Sequence, residues 1–163
     1  MTVYVSEILR LAGVSVSAYA SRNSSGIVIG TSTGVMLSQA NQLLGTFADL
    51  KRFQRSAGGK AYIGWQAHHI VEKQDLDRLG VGDRFPRGDD QLCVLLPERA
   101  HIGRINSILR NQAPIGVHVA PADLKAAYST AYCLIDDYSG GGAMAIRREL
   151  MAIVNSTFKR AGF

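Results

Sequence analysis

Apolar side chains in residues 35–56 recur at three- and four-residue steps, which is the spacing of one face of a helix. Cations follow in the last turn of this stretch, where the helix dipole favours positive charge. We therefore expect a helix over residues 35–56. Residues 1–34 are poor in charge and rich in Ser, Gly, Thr and Val, and we assign them to an N-terminal extension.

The middle of the chain has the pattern of two strands followed by a helix. Residues 61–71 are rich in aromatic and β-branched side chains, and residues 91–96 are mostly apolar, which predicts two short strands. Residues 75–90 are polar and contain glycine and proline, so we expect a connecting loop there. Pro97 suits the first turn of a helix that runs to about Arg110.

Two more helices are predicted in the last third of the chain. Pro121 opens the first, a glycine triplet ends it, and the second begins at Ala143. This C-terminal helical pair covers about residues 121–160. We expect one domain over residues 35–163 with an α+β, mainly helical fold, in which a strand–strand–helix core at about residues 61–110 packs among four or five helices.

Composition excludes several classes of protein. With 47% hydrophobic and 19% charged residues, the 163-residue chain is expected to be globular. No apolar stretch reaches the ~20 residues of a membrane helix, and Glu7 and Arg10 interrupt the apolar N-terminus, so we expect no classical signal peptide. Cys93 and Cys133 lie far apart, which excludes a disulfide framework, and each lies in an apolar run that favours a buried thiol.

The positive charge is concentrated in the middle of the chain. Residues 51–110 hold 11 of the 18 Lys and Arg and 7 of the 13 Asp and Glu, which accounts for +4 of the net charge of +5. A basic surface suits a polyanionic partner. Four cations before the predicted core are candidates for contacting nucleic acid: Lys51, Arg52, Arg55 and Lys60.

Three of the four histidines bracket the predicted core. His68 and His69 end its first strand, and His101 lies in the first turns of its helix. Adjacent residues of a strand point to opposite faces, so at least one of the pair should face something polar. Neutral imidazole can accept a proton or hold a cation near neutral pH, and phosphodiester cleavage needs both functions. His118, between two valines, is expected to be structural.

The stretch WQAHHIVEK, followed later by DDQLCVLLPERAHIGRIN, resembles the HNH/endonuclease-VII superfamily of ββα-metal (His-Me finger) nucleases. The resemblance covers roughly residues 61–110. Within it, three parts are similar to the AHH-type nuclease domains at the C-termini of bacterial polymorphic toxins: Ala67-His68-His69, Leu96-Pro97, and His101 with Gly103-Arg104.

The resemblance implies a role for each matching residue. His69 occupies the position of the general base that activates water, and His68 and His101 occupy metal-ligand positions. Gln91 falls near the superfamily's middle Asn, which holds the loop and orients the base. The implied cofactor is a divalent cation, Mg²⁺ or Mn²⁺, with Zn²⁺ or Ni²⁺ as alternatives.

The helix of the core supplies two further candidates and one departure. Arg104 lies three residues beyond His101 on the same helix face and could grip the scissile phosphate. Many toxins of this kind carry a second His shortly after the helix His, but Ile105 and Asn106 stand there in this chain. The third metal ligand is therefore open, with Asn106 as a candidate.

Two neighbours of the histidine pair have alternative interpretations. Glu72 is expected to be a solvated carboxylate at the end of the strand, with metal ligation as the alternative. Trp65 is expected to pack in the core beneath the site, with stacking on a nucleobase as the alternative.

These observations support three hypotheses about function. The first is a metal-dependent endonuclease that degrades DNA as an antibacterial toxin or effector. The second is an RNase of the same fold, and the third is a non-catalytic module that binds metal and nucleic acid. A toxin implies a cognate, acidic immunity protein and a secretion or delivery apparatus that carries it into the cytoplasm of a target cell, as a domain of a longer effector or as a small cargo.

Overall fold

Four short strands form one antiparallel sheet with the order β1-β2-β4-β3. The computed structural model describes residues 35–56, 62–86 and 88–163, apart from the side chains of residues 36 and 101–103. The strand β3 lies at an edge of the sheet and pairs with β4 along its whole length. The strand bounds are β1 (Met36–Leu37), β2 (Leu43–Thr46), β3 (Trp65–His69) and β4 (Leu92–Pro97).

Five helices surround this sheet in the described part of the chain, in addition to two 3₁₀ turns at Gly82–Arg84 and Gly88–Asp90. The third, α3, covers residues 98–112 and is α-helical at Glu98–Ala100, π-helical at His101–Asn106 and α-helical again at Ser107–Gln112. Within residues 35–56, 62–86 and 88–163, no helix combines the length and the hydrophobicity that a membrane span requires. The other four are α1 (Phe47–Arg55), α2 (Lys73–Arg78), α4 (Pro121–Cys133) and α5 (Ala143–Arg160).

The sheet is covered on both faces. On one face, Leu43, Ala67 and Leu95 pack with apolar side chains of α1. On the other, alternate positions such as Leu44 and Val94 join a larger core with α3, α4 and α5. The central strand β4 is consequently buried at every residue, which is why its sequence is apolar without alternation.

The α+β class is confirmed, and two details of the prediction are wrong. The helix expected over residues 35–56 begins only at Phe47, because residues 36–46 form the β1–β2 hairpin. Leu43 and Leu44 serve opposite faces of a covered strand, and their adjacency imitated a helical stripe. The loop expected over residues 75–90 overlaps α2.

Two other expectations need correction, and one lies beyond the described residues. Cys93 is buried as expected, but Cys133 is exposed at the end of α4. His118 was expected to be structural, yet it is exposed in the connection between α3 and α4. The N-terminal extension, residues 1–34, lies outside the described residues.

Candidate active site

The edge strand β3 brings two adjacent imidazoles to one open pocket. His68 and His69 point to opposite faces of the sheet, as the geometry of a strand requires. Because no strand of the described residues pairs with β3 on its outer side, both side chains can line a pocket at this edge. The pocket has a volume of about 330 Å³ and is lined by Ala67, His68, His69, Glu72, Lys73 and Gln74.

His69 is fixed by two contacts from distant parts of the chain. Its ring lies parallel to that of Phe47, the first residue of α1, with the planes 3° apart and the centroids 5.5 Å apart. The imidazole also hydrogen-bonds to the backbone of Gly88, in the loop before β4. Because Nε2 has no hydrogen-bond partner among the described residues, the nitrogen that donates to the Gly88 carbonyl is Nδ1.

The Nε2 atom of His69 is shielded from solvent and has no hydrogen-bond partner among the described residues. An unpaired buried polar atom costs about 1–3 kcal/mol, so each one calls for an explanation such as a ligand or a catalytic role. Burial lowers the pKa of His69 below the ordinary 6.5, against the smaller effects of the Gly88 carbonyl and the Glu72 carboxylate. The imidazole is therefore neutral at pH 7, with its lone pair on Nε2.

His68 has the opposite surroundings. Its side chain is almost completely buried, and its Nε2 lies 2.9 Å from the hydroxyl of Tyr132 on α4. That hydroxyl donates its proton to the carbonyl of Ile70. It therefore accepts a hydrogen bond from His68, which carries its proton on Nε2. Metal ligation through this atom would require the hydrogen bond to break.

A buried polar network continues behind the pocket. The hydroxyl of Tyr128 on α4 donates to Asp75 on α2 and accepts from the backbone N–H of Glu72. Arg110 on α3 binds Glu72 at 2.8 Å and Asp75 at 2.9 Å. The expectation that Glu72 is a solvated carboxylate is therefore wrong: its side chain is 17% exposed and ion-paired at the pocket wall.

Gln91 connects the two ends of the loop between β3 and β4. Its side-chain amide donates to the carbonyl of Val71, just beyond β3. Its backbone N–H donates to the carbonyl of Gly88, which also receives the imidazole of His69. Gln91 therefore lies where it can hold the loop that orients His69, which is the role that the resemblance implies for this position.

The π-helical turn of α3 contains the other candidates of the core. Such turns are rare in proteins and frequent at functional sites. Asn106 ends this turn, and its Oδ1 is buried without a hydrogen-bond partner among the described residues. Arg104 is exposed, forms an ion pair with Asp136 at 3.2 Å and lines a different pocket from His69. The side chain of His101 lies outside the described residues.

The basic side chains of α1 differ in their relation to the pocket. The Nζ atom of Lys51 lies 5.5 Å from the ring centroid of Phe47, which stacks on the candidate base. Arg52 is ion-paired within α1, and Arg55 is exposed at its end. Lys60 lies outside the described residues. Of the cations that the structure describes here, Lys51 is the one placed against the Phe47–His69 stack.

The described residues provide only part of the metal-binding set that the resemblance implies. Among the side chains that the structure describes, no three His, Cys, Asp or Glu residues lie close enough to hold a metal ion. The unpaired Oδ1 of Asn106 fits an oxygen ligand. The Nε2 of His68 does not, because it is already hydrogen-bonded to Tyr132.

Sequence reasoning missed Phe47, Gly88 and Tyr132 as parts of this site. Phe47 is part of the apolar stripe predicted over residues 35–56. Tyr132 is not among the residues of the apolar face expected for the helix that Pro121 opens, and nothing local shows that either ring meets a histidine. One signal was available for the tyrosine: a buried phenol needs a partner for its hydroxyl, and Tyr128 and Tyr132 lie four residues apart on one helix. The contact of Gly88 depends on how the loop folds back.

No family model, curated protein or solved structure matches this chain. A mixed α+β fold alone does not define a function, because one fold can carry many different sites. The candidate function therefore follows from the pocket at β3 and from the side chains that form it.

Proposed function

We propose that the protein is a metal-dependent endonuclease that cleaves DNA with His69 as the general base. The order β3, loop, β4 and α3 supports a ββα-metal core. The observation that carries the proposal is the state of His69: a neutral imidazole, fixed by Phe47 and Gly88, with an unpaired Nε2 beside an open pocket. General bases that work near pH 7 need this combination of orientation and protonation state.

In the proposed reaction, a water molecule enters the pocket with the substrate and gives a proton to Nε2 of His69. Its oxygen attacks the phosphorus, and the bond from phosphorus to the leaving sugar oxygen breaks. The leaving oxygen takes up a proton from solvent and departs as a hydroxyl group. The carboxylate of Glu72 stabilises the imidazolium that forms, since it already raises the pKa of His69. Lys51, next to Phe47, attracts the phosphate backbone.

A divalent cation, when bound, supplies positive charge to the scissile phosphate. The resemblance gives His68, His101 and Asn106 as the residues that would hold it. Of these, Asn106 has an unpaired oxygen, and His68 would first have to leave the hydroxyl of Tyr132. We therefore expect loosely held and exchangeable metal rather than a structural ion.

The test is cleavage of plasmid DNA by the full chain, with and without a chelator. We expect chelation to stop cleavage and His69→Ala to reduce it by a factor of about 10²–10⁴ with the fold intact. The matched control is His118→Ala, which removes an exposed imidazole far along the chain and should leave cleavage unchanged. Full activity of His69→Ala would exclude His69 from the mechanism.

The same assay separates the alternatives. Cleavage of total RNA but of neither plasmid nor single-stranded DNA would indicate an RNase of the same fold, because the base chemistry is shared. Tight, stoichiometric metal, loss of folding on chelation and no cleavage of either substrate would indicate the non-catalytic binding module.

As a toxin, the protein would act in the cytoplasm of a target cell after delivery by a secretion apparatus. The cell that makes it would need an immunity protein, and an acidic one would complement the charge of +5. Co-expression with such a partner should restore growth of cells that express the chain. Toxicity that the co-expressed immunity protein does not relieve would count against this part of the proposal.

A further inference from the structure

A second pocket, lined by aromatic rings, lies at the start of β3, whereas His69 lies at its end. It has a volume of about 220 Å³, smaller than the ~300 Å³ at which pockets for drug-sized ligands begin. The ring of Trp65 lies 5.1 Å from that of Tyr62 and 5.8 Å from that of Tyr138, edge to face in both pairs. All three side chains are partly exposed. The remaining wall is formed by Asn41, Leu43 and Ser139.

The first two rings are anchored to α1. Gln54 donates from its side-chain amide to the carbonyls of Tyr62 and Trp65, at 2.9 and 2.7 Å. The ring of Tyr62 also packs against that of Phe53, with the centroids 5.9 Å apart. This wall of the pocket is thus formed before any ligand binds, and a preformed site loses little entropy on binding.

The third ring is held by the β1–β2 turn. Tyr138 donates its hydroxyl proton to Gln42, and the neighbouring Ser139 donates to the carbonyl of Ala40. Gly141 approaches the same carbonyl so closely that a Cβ atom there would collide with it. The loop that carries Tyr138 is therefore fixed against the sheet.

Positive charge adjoins this pocket. Tyr138 also lines a neighbouring pocket of about 130 Å³ that contains Arg99 and Arg104. Arg104 pairs with Asp136, but the two side chains are 55% and 78% exposed. An ion pair with that exposure contributes little, so a phosphate can compete for the guanidinium.

The aromatic pocket also has a defined relation to the candidate base. Trp65, Ala67 and His69 alternate along β3 and therefore face the same side of the sheet. The four steps from Trp65 to His69 span roughly 13 Å at ~3.3 Å per residue. If the scissile phosphate of a nucleic-acid strand lies at His69, a nucleotide only a few positions from that phosphate along the strand can reach Trp65.

From these observations we propose that the pocket of Tyr62, Trp65 and Tyr138 binds an unpaired nucleobase, with Arg99 and Arg104 beside it for a phosphate. Aromatic side chains stack on any base whose face is open, and the faces of duplex bases are covered by their neighbours. The inference rests on the proposed function for the nature of the substrate. It narrows that substrate to single-stranded or locally unpaired nucleic acid.

The experiment uses Trp65 as its own reporter, because it is the only tryptophan in the chain. The full-length His69→Ala variant, which should not cut its ligand, is titrated with oligothymidylate, with a DNA duplex of equal length and with an abasic strand of equal length. A single-stranded RNA provides a fourth arm. We expect the two base-containing single strands to change the Trp65 emission, and the duplex and the abasic strand to leave it unchanged.

Variants of Tyr138 show whether stacking is responsible. Tyr138→Leu should weaken binding of oligothymidylate between about 5-fold and about 150-fold, whereas Tyr138→Phe keeps the ring and should keep most of the affinity. The control Phe163→Leu removes an exposed aromatic ring outside the pocket and should have no effect. Equal responses to the abasic and the base-containing strand would overturn the proposal.

Two outcomes separate this inference from the nuclease proposal. Cleavage that depends on His69, with no response of Trp65 to any strand, would refute the base-binding pocket and leave the nuclease intact. A change of Trp65 emission with single strands, in a protein that cleaves no nucleic acid, would support the base-binding pocket and refute the nuclease. If acrylamide cannot quench Trp65 in the free full chain, the pocket is not open to a ligand and the proposal fails.

Discussion

His68 and His69 follow each other on β3, yet their imidazoles have opposite surroundings. His68 faces the larger core, where Tyr132 holds its Nε2 and the network of Asp75 and Arg110 lies behind it. His69 faces α1, where Phe47 covers one side of its ring and Nε2 has no partner among the described residues. One strand thus carries a histidine whose Nε2 is hydrogen-bonded and a histidine whose Nε2 has no partner among the described residues, and the alternation of side chains assigns them to different faces.

The edge position of β3 allows the two histidines, despite their opposite faces, to contribute to one pocket. In the middle of a sheet, two opposed side chains would be separated by neighbouring strands. At the edge, both line the same pocket, so the rigid contacts of His68 can fix the strand from which His69 projects. The comparison predicts that substitutions of the two residues affect different properties.

The largest expected effect comes from exchanging the two histidines for alanine. His68→Ala should lower the free energy of unfolding by about 2–4 kcal/mol, because it leaves a cavity and a buried hydroxyl without its donor. His69→Ala should cost about 0.5–1.5 kcal/mol, the value of its contact with Phe47, while reducing cleavage by a factor of about 10²–10⁴. Urea unfolding of both variants checks this, and equal losses of stability would contradict the division between the two residues.

The next effect concerns the hydroxyl that holds His68. Tyr132→Phe should lower the free energy of unfolding by about 1–3 kcal/mol, since it removes the two buried hydrogen bonds that the hydroxyl forms with Nε2 of His68 and with the carbonyl of Ile70. Thr130→Ala, which removes a more exposed hydroxyl of α4, is the control, with a change within about 0.5 kcal/mol.

Calorimetric titration of the Tyr132→Phe variant with Mn²⁺ adds a second measurement. Tighter binding in Tyr132→Phe indicates ligation through Nε2 of His68, and an unchanged affinity assigns His68 to support alone.

A smaller effect should follow from removing the ring that stacks on His69. Phe47→Leu keeps an apolar side chain but loses an aromatic contact worth about 0.5–1.5 kcal/mol. We expect cleavage to fall between about 2-fold and about 12-fold, because the orientation of the imidazole is less restricted. Phe163→Leu provides the matched control. A variant as active as the parent protein would show that Gly88 alone orients the base.

The smallest effect is a shift in pH dependence. Cleavage needs neutral His69, so the rate should fall as the pH drops through the pKa of this residue, which burial holds below 6.5. Glu72→Gln removes a carboxylate that raises this pKa, so the acid limb should move to lower pH. Glu98→Gln, at an exposed site on α3, should leave the profile unchanged. A shift of the Glu72→Gln profile to higher pH would contradict this assignment.

The sequence predicted the parts of the fold that depend on local pattern. The two core strands, the helix after Pro97 and the pair of C-terminal helices all have clear periodicity, turn residues or helix-start signals. The β1–β2 hairpin could not be found in this way, because its strands are very short and Leu44 also pairs with Val94 of β4, fifty positions later. The short helix α2 was missed because its polar sequence resembles a loop.

The candidate site divides in the same way. The histidine pair and Gln91 could be found from residue types in a recognisable order. The pairing of Tyr132 with His68, of Arg110 with Glu72 and of Phe47 with the candidate base joins elements that are distant in sequence. These contacts depend on how helices pack on the sheet, and no local pattern records them.

Chemical rescue tests the central claim most directly. If Nε2 of His69 accepts the proton of the attacking water, free imidazole should restore part of the cleavage lost in His69→Ala, in proportion to the concentration of its neutral form. The His118→Ala control should show no dependence on imidazole. Cleavage by His69→Ala that equals the parent protein without imidazole, or that no imidazole concentration restores, would contradict the assignment of His69 as the base.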